Sequence, residues 1–270
     1  MSSEASSTAL PRENVFGHTA KVRFFLEHIQ RERRRLRRGL RILDLGCGNG
    51  WAVTRFLGAN SDQVLGIDFH EPSMRYATQH FGTDFRRFDC RDIETISRDE
   101  ELWDVIVLAD VLEHLDDPGR ILELCATLLR DGGVLLVALP NGFGPFEIES
   151  AISRVQMVGS TLMRLVDLFV ATLNKYVFRG AWTRAANAMP ADLPYNSASP
   201  HVQFKSIRGW RRLFARAGFA VEAKRNLSFL AGPISNYLFS ASEWFCEQKV
   251  RIAAGLPAPV VSGWTFKLAK

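Results

Sequence analysis

The stretch Ile42–Gly50 decides the fold, and it reads Ile-Leu-Asp-Leu-Gly-Cys-Gly-Asn-Gly. It is an apolar strand pattern that runs into a turn with three glycines in five residues. Such a turn lets the backbone approach a ligand where a Cβ atom would collide with it. The next apolar run ends at Asp68, 18 residues after Gly50, where a carboxylate can accept hydrogen bonds from ribose hydroxyls. Together these features predict a nucleoside pocket in a Rossmann-like sheet, with Asp68 as a helix cap being the alternative.

The spacing of the glycines narrows the choice of nucleoside. The dinucleotide fingerprint is Gly-x-Gly-x-x-Gly, whereas this turn is Gly-x-Gly-x-Gly followed at once by Trp51. No Lys-Ser or Lys-Thr pair follows, so the turn is not a Walker A loop either. Asp44, before the first glycine, would repel a phosphate and would suit the ammonium group of an amino acid. The predicted cofactor is therefore S-adenosylmethionine, a nucleoside that carries an amino acid and no phosphate.

The segment resembles motif I of the class I methyltransferases, whose usual form is close to Leu-Asp-x-Gly-x-Gly-x-Gly. The resemblance implies that Asp44 lies near the amino-acid part of the cofactor, Asp68 holds the ribose and Phe69 lies against the adenine. It places Asp89 and Cys90 at the amino edge of the adenine, with Cys90 as a packing thiol whose backbone N–H is used. The predicted cofactor-binding residues are Asp44, Gly46, Cys47, Gly48, Gly50, Asp68, Phe69, Asp89, Cys90 and Asp110.

A second motif, Asp-Val-Leu-Glu-His-Leu at 110–115, follows the fourth strand pattern. It resembles the Glu-Val-Leu-Glu-His-Val segment of ubiquinone-type and related small-molecule O-methyltransferases. The wider resemblance covers residues 41–140 and 204–225, and His201 with Phe204 looks like a further tract of the same group.

The resemblance makes Glu113 and His114 the candidate catalytic residues. His114 has three interpretations: a base that deprotonates an acceptor hydroxyl, a metal ligand beside Asp110 and Glu113, or a cap of the loop. In some members of the group two acids and a histidine hold a divalent metal. Because Asp110 is one methylene shorter than the usual glutamate, no metal is predicted here.

Apolar runs alternate with helical patterns from residue 41 onward, which is typical of β-α-β units and a parallel sheet. The predicted strands are 41–45, 64–68, 84–88, 103–109, 133–139, 218–223 and 263–268. The predicted helices are an N-terminal one within 14–38, then 50–57, 72–81, 118–129 and 207–217. The predicted fold is α/β and Rossmann-like, of the class I methyltransferase type. It has a seven-stranded, mostly parallel sheet, helices on both faces, and two insertions that form a cap over the ligand edge.

The predicted organisation has four parts. Residues 1–13 form a disordered N-terminus, and 14–139 form the N-terminal helix and the cofactor-binding core. Residues 140–203 form a helical cap insertion. Residues 204–270 complete the core and carry an aromatic insertion at 227–260, which is either an acceptor wall or more core.

Composition and charge bound the class of protein and its partners. Of 270 residues, 47% are hydrophobic, and the four cysteines form no CxxC pair, which argues for a reducing compartment. No secretory signal or spanning run is visible, so a cytoplasmic protein is expected.

Six arginines lie within Arg31–Arg38. This run and an apolar helical stripe at 155–178 are candidates for peripheral membrane contact, but a solvated helix face and a packed cap helix are the favoured explanations. No aromatic residues interleave with the basic run, so nucleic acid is not predicted as a partner.

The function predicted from these observations is S-adenosylmethionine-dependent methyl transfer to a small-molecule or lipid-linked acceptor, at oxygen. One alternative is methylation at carbon or nitrogen of a secondary metabolite or sugar. Another is a noncatalytic binding module that keeps the fold.

Overall fold

The computed structural model describes residues 10–97, 101–154, 200–232 and 243–270, together with Arg164, Leu168, Thr172, Leu193, Pro194 and Ser235. The predicted 155–178 stripe, apart from three of these residues, lies outside the described part of the chain. No helix within the described ranges is long and apolar enough to cross a membrane.

A seven-stranded sheet organises the described chain. Its strands are β1 Arg41–Leu45, β2 Gln63–Asp68, β3 Arg86–Cys90, β4 Trp103–Ala109, β5 Leu129–Pro140, β6 Ala220–Asn226 and β7 Gly263–Ala269. Their order is β3-β2-β1-β4-β5-β7-β6. Strands β1 to β5 pair in parallel, and β7 runs antiparallel to both β5 and β6. The strand order reverses between β1 and β4, which is where open α/β sheets bind their ligands. The predicted seven-stranded, mostly parallel sheet is confirmed.

Helices cover both faces of the sheet. They are α1 His18–Leu36, α2 Glu71–Phe81, α3 Pro118–Leu128, α4 Pro145–Arg154, α5 Ile207–Arg216 and α6 Glu243–Gly255. Short 3-10 turns lie at Thr54–Phe56, Ile93–Thr95, Leu112–His114 and Ala258–Val260. Proline opens α2 and α3, and Asp117 caps α3 by accepting a hydrogen bond from the Arg120 N–H.

The alternation of side chains along β4 shows how the sheet fills two cores. Val105 and Val107 belong to the cluster that also contains Phe25 of α1. Ile106 and Leu108 belong to the other cluster, which includes Trp210 of α5. Because the residues from Val105 to Leu108 are buried on both faces of the sheet, this part of β4 is a continuous apolar run in the sequence.

Three predicted elements were placed wrongly: the helix at 50–57, the third strand, and the sixth strand, which spans Ala220–Asn226 rather than 218–223. No α-helix follows β1 at 50–57, since the chain makes turns and one 3-10 turn at Thr54–Phe56 instead. The third strand begins at Arg86 rather than at residue 84. Thr83 and Arg86 exchange backbone hydrogen bonds of 3.0 and 3.2 Å, so a tight turn occupies those two positions.

Three of the six arginines in this run contact other parts of the protein. Arg33 forms an ion pair with Asp62. Arg38 donates to both carboxylate oxygens of Asp104, at 2.8 and 2.6 Å. Arg35 donates to the carbonyl of Gly132 at 2.7 Å. These contacts connect the end of α1, and Arg38 just after it, to residues in or next to the sheet. They favour the structural explanation of this run.

The structure describes the chain from residue 10, before the predicted boundary at residue 14. The Glu13 carboxylate accepts hydrogen bonds from the backbone N–H groups of Asn14, Thr19 and Ala20. It therefore satisfies first-turn donors of α1 that lack intrahelical partners.

Candidate functional site

A cavity of about 1100 Å³ opens at the carboxyl ends of β1, β2, β4 and β5. It reaches from the glycine loop after β1 to the segment around His201. Pockets for a single small ligand usually occupy 300 to about 1,000 Å³. The cavity therefore has room for a cofactor and a second molecule side by side.

The glycine loop forms one end of the cavity in a left-handed backbone conformation. Gly46, Gly48 and Gly50 have φ angles of 70°, 54° and 72°. The N–H groups of Gly46 and Cys47 donate to the Ile67 carbonyl at 2.8 and 3.0 Å, which pins the loop to β2. Gly46, Cys47 and Gly48 line the cavity.

The three glycines face different surroundings. A Cβ atom at Gly48 would meet no described atom within 4 Å, so this position opens toward the cavity. A Cβ atom at Gly46 would come within 2.6 Å of the Val111 side chain. At Gly50 it would meet the rings of Phe81 and Phe88 at 3.2 Å. Gly50 is thus not among the described residues of the cavity wall; its predicted role is limited to the path of the loop.

Alanine substitutions should separate these roles. Gly46→Ala combines left-handed strain of about 1–2 kcal/mol with a clash against a buried valine worth about 1–3 kcal/mol. Gly48→Ala carries only the strain. We expect the lower melting temperature for Gly46→Ala, measured by circular dichroism. Equal melting temperatures for the two variants would contradict this packing.

Asp68 ends β2 with its carboxylate at the cavity. One oxygen accepts a hydrogen bond from the Gly48 N–H and the other from the His70 N–H, both at 2.9 Å. Each carboxylate oxygen can accept a further bond. The helix-cap alternative is not supported, because α2 begins at Glu71 with His70 as its N-cap residue. Phe69 is exposed and lines the same end of the cavity.

Asp44 lies deeper, at the end of β1, where it is only 1% exposed. Its carboxylate accepts a hydrogen bond from the Thr54 hydroxyl at 2.6 Å. Burial raises the pKa of Asp44 to about 7, although the Thr54 hydrogen bond opposes the rise, and the charge of Asp68 adds to it. The group can therefore change charge near neutral pH.

The end of β3 differs from the prediction. Asp89 pairs with Arg91, and Cys90 contacts the Phe69 carbonyl at 3.7 Å. Neither residue is among the described residues of the cavity wall, which at this point are Asp92, Ile93 and Glu94. The strand lies two residues later than predicted, and the wall residues are displaced in the same direction. Cys90 is exposed, so its interpretation as a packing thiol stays a prediction.

Asp110 follows β4 with a φ of 57°, unusual for a residue other than glycine. Its carboxylate forms an ion pair with Lys21 of α1, a lysine only 8% exposed. Burial alone would raise the pKa of Asp110, but the ammonium of Lys21 outweighs it and holds that pKa below its ordinary value. Lys21 is thus the cation beside Asp110, and no local sequence pattern indicates this pairing.

The segment 200–203 is fastened to the turn Leu112–His114. The N–H groups of Val202 and Gln203 donate to the Glu113 carbonyl at 2.8 and 3.0 Å. The Nδ1 atom of His114 lies 3.0 Å from the Pro200 carbonyl. These contacts bring the rings of His114 and His201 to a centroid distance of 4.9 Å.

Two carboxylic acids flank the imidazole pair. The Nδ1 atom of His201 lies 2.8 Å from a carboxylate oxygen of Glu147 on α4. Glu113 is only 1% exposed, and within the described chain neither of its carboxyl oxygens has a hydrogen-bond partner. Burial, and next the charge of Asp110, raise the pKa of Glu113 well above its ordinary value.

The cavity wall near this cluster is apolar. Phe16 and Phe146 meet edge to face with ring centroids 6.3 Å apart. Leu139, Leu227 and Ala231 line the same region. The cavity therefore has a polar end at the glycine loop and an apolar end that contains the acid and imidazole groups.

Comparison with known proteins identifies the family. The family described as "Methyltransferase domain" matches residues 16–224. The chain belongs to this family. Ubiquinone biosynthesis O-methyltransferases are similar to this chain. That of Coxiella burnetii is 32% identical over 106 residues, which are 38% of this chain and 45% of the relative. That of Stutzerimonas stutzeri is 29% identical over 174 residues, 62% of this chain and 74% of the relative. The chain thus spans about half the length of the first of these relatives.

Solved structures share the fold of this chain. An S-adenosylmethionine-dependent methyltransferase from Mesorhizobium loti has a TM-score of 0.55 and 14% identity, covering 94% of this chain and 98% of its own. The plantazolicin methyltransferase BpumL has a TM-score of 0.54 and 16% identity, and the match covers 94% of this chain and 85% of BpumL. The predicted class I methyltransferase fold is confirmed.

The residues present fit S-adenosylmethionine, the predicted cofactor. The open face of Gly48 leaves room that a side chain would fill, and Asp68 keeps acceptor capacity next to it. Sequence reasoning missed three residues that contact a site residue. Thr54 contacts Asp44, Lys21 contacts Asp110, and Glu147 contacts His201. Their partners lie on other elements, so local patterns could not reveal them.

Proposed function

We propose that this protein transfers the methyl group of S-adenosylmethionine to an oxygen of an apolar small-molecule or lipid-linked acceptor. The observation that carries the proposal is one cavity that joins the glycine loop and Asp68 to an acid and imidazole cluster with an aromatic wall. Membership of the methyltransferase family supports the reaction type. The relatives named as ubiquinone biosynthesis O-methyltransferases support oxygen as the methylated atom.

The polar end of the cavity is the proposed cofactor site. When bound, S-adenosylmethionine supplies an electrophilic methyl group. Asp68 would accept hydrogen bonds from the ribose hydroxyls, and the loop at Gly46 and Gly48 would lie against the methionine part. Asp44 would offset the positive charge of the ammonium group. We assign the adenine edge to Asp92 and Ile93 in place of Asp89 and Cys90.

The apolar end is the proposed acceptor site. Glu113 and His114 would contact the acceptor oxygen, and Phe16 and Phe146 would cover its apolar part. Phe143 and Ile148, at the start of α4, are 66% and 56% exposed. Because the same helix lines the cavity through Phe146, Glu147 and Ser150, a lipid surface touching α4 would deliver a lipid-linked acceptor close to the site.

A transfer assay tests the proposal. The protein is incubated with S-adenosylmethionine labelled in its methyl group, together with hydroxylated aromatic compounds with and without an isoprenoid tail. We expect the label on an acceptor oxygen, located by mass spectrometry and NMR, with faster transfer to the tailed compounds. Transfer only to carbon or nitrogen would contradict oxygen as the target, and preference for polar acceptors would contradict the apolar site.

The pKa of Asp44 leads to a pH prediction for cofactor binding. Its ionised form pairs with the ammonium group of the cofactor, and the ionised fraction rises through a pKa of about 7. We expect the dissociation constant of S-adenosylmethionine to fall roughly tenfold between pH 6 and pH 8, because only the ionised fraction binds well. Calorimetry at several pH values measures this. In Asp44→Asn the dependence should flatten; a steep dependence that survives in this variant would assign it to another group.

A further inference from the structure

One three-donor group in the described chain has the composition of a cation site. One potential ligand atom from each of Glu113, His114 and His201 lies within 4.8 Å of the others. The two imidazoles come from separate segments that the backbone bonds to the Glu113 carbonyl hold together. A carboxylate with two imidazoles is a set that divalent transition metals bind.

The carboxyl group of Glu113 supplies an independent observation. The residue is 99% buried, and neither oxygen has a hydrogen-bond partner among the described residues. A buried carboxyl group without a partner loses its hydration and gains nothing in return. A bound cation would compensate both oxygens at once.

The two imidazoles are held in the way that metal ligands usually are. Ligating histidines donate the other ring N–H to a carboxylate or a backbone carbonyl. Here Nδ1 of His201 faces Glu147 at 2.8 Å, and Nδ1 of His114 faces the Pro200 carbonyl at 3.0 Å. Both contacts fix the tautomer that carries the ligand lone pair on Nε2.

The group differs from the set that the sequence resemblance implied. That set was Asp110, Glu113 and His114, and it does not form, because the Asp110 carboxylate pairs with Lys21. Replacing a carboxylate by an imidazole shifts the preference from magnesium, which favours oxygen ligands, toward zinc and its neighbours.

We propose that Glu113, His114 and His201 bind a divalent transition metal, with Zn²⁺ as the representative ion, and that Glu147 orients His201. Three protein ligands leave a coordination position open, as in catalytic zinc sites. The site lies at the apolar end of the cavity, so under the proposed function that open position faces the acceptor oxygen.

Calorimetric titration of Zn²⁺ into protein stripped with EDTA tests the proposal. We expect one ion per chain, and affinity at least about 100-fold weaker in His201→Gln and Glu113→Gln. Glu147→Gln should weaken binding by roughly 10–100-fold, as for other residues that orient a ligand. The matched control is His80→Gln, an exposed imidazole on α2 whose Nδ1 atom also faces a backbone carbonyl. It should bind as the wild type does.

Co²⁺ provides a second readout that does not depend on activity. Its visible absorption should appear in the wild type and vanish in His201→Gln, while circular dichroism shows both proteins folded. Binding that survives His201→Gln would overturn the proposal. Zinc binding that is lost in Asp110→Asn and kept in His201→Gln would also overturn the proposal, because the ion would then be held by Asp110, Glu113 and His114. S-adenosylmethionine titrated into the same samples separates the two proposals, since loss of zinc binding alone leaves the proposed function intact.

Discussion

His114→Ala is expected to lower the turnover number by about 10²–10⁴-fold while S-adenosylmethionine affinity stays within about threefold. His114 lies at the apolar end of the cavity, beside His201 and Glu113. The proposed polar partners of the cofactor lie at the other end. Removal of the imidazole therefore acts on the acceptor oxygen and leaves the cofactor contacts in place. Turnover is measured with the acceptor found in the transfer assay, and affinity by calorimetry.

The matched control for this substitution is His80→Ala. His80 also places Nδ1 against a backbone carbonyl, at 3.0 Å, but it sits on the exposed side of α2. Its removal should leave turnover unchanged. Unchanged turnover in His114→Ala would remove His114 from the chemistry and leave it the role of fastening Pro200 to the loop.

Asp68→Ala is expected to weaken S-adenosylmethionine binding at least about 100-fold. The substitution removes two proposed hydrogen bonds from ribose hydroxyls to a carboxylate, each worth about 1.5–3 kcal/mol. It also removes the acceptor for the Gly48 N–H, so the glycine loop loses a contact of 2.9 Å that holds it in place. Calorimetry on the purified variant measures the loss.

Asp89→Ala is the matched control for Asp68→Ala. Asp89 stands on the adjacent parallel strand, directly opposite Ile67. It is half exposed, and its ion pair is with Arg91. Because it lies outside the described cavity wall, its loss should change the affinity by less than about threefold. A large loss in Asp89→Ala would return this residue to the adenine contact that the sequence predicted.

The glycine loop and Asp68 could be predicted because their signals are local. A strand pattern, left-handed glycines and an acidic strand tip lie within 27 residues of one another, from Ile42 to Asp68. The seven-stranded, mostly parallel sheet was predicted from the alternation of apolar runs and helical patterns, and it is confirmed. The third strand was misplaced because the turn between Thr83 and Arg86 depends on a backbone pairing that no composition signal announces.

The acceptor end of the site shows where sequence reasoning stopped. His201 was noticed as part of a family tract, but its neighbours His114 and Glu147 lie far from it along the chain. Lys21 lies on helix α1 and pairs with Asp110 only because that helix packs beside the end of β4. Such pairs result from tertiary packing, which local periodicity does not encode.

Every proposed role in the cavity depends on S-adenosylmethionine binding at its polar end. This binding is measured by calorimetric titration of S-adenosylmethionine into the wild-type protein at pH 8, where Asp44 is mostly ionised. We expect saturable binding of one molecule per chain. A well-folded protein that releases or absorbs no heat, and that retains no cofactor by mass spectrometry, would contradict this binding and leave a binding module that keeps only the fold.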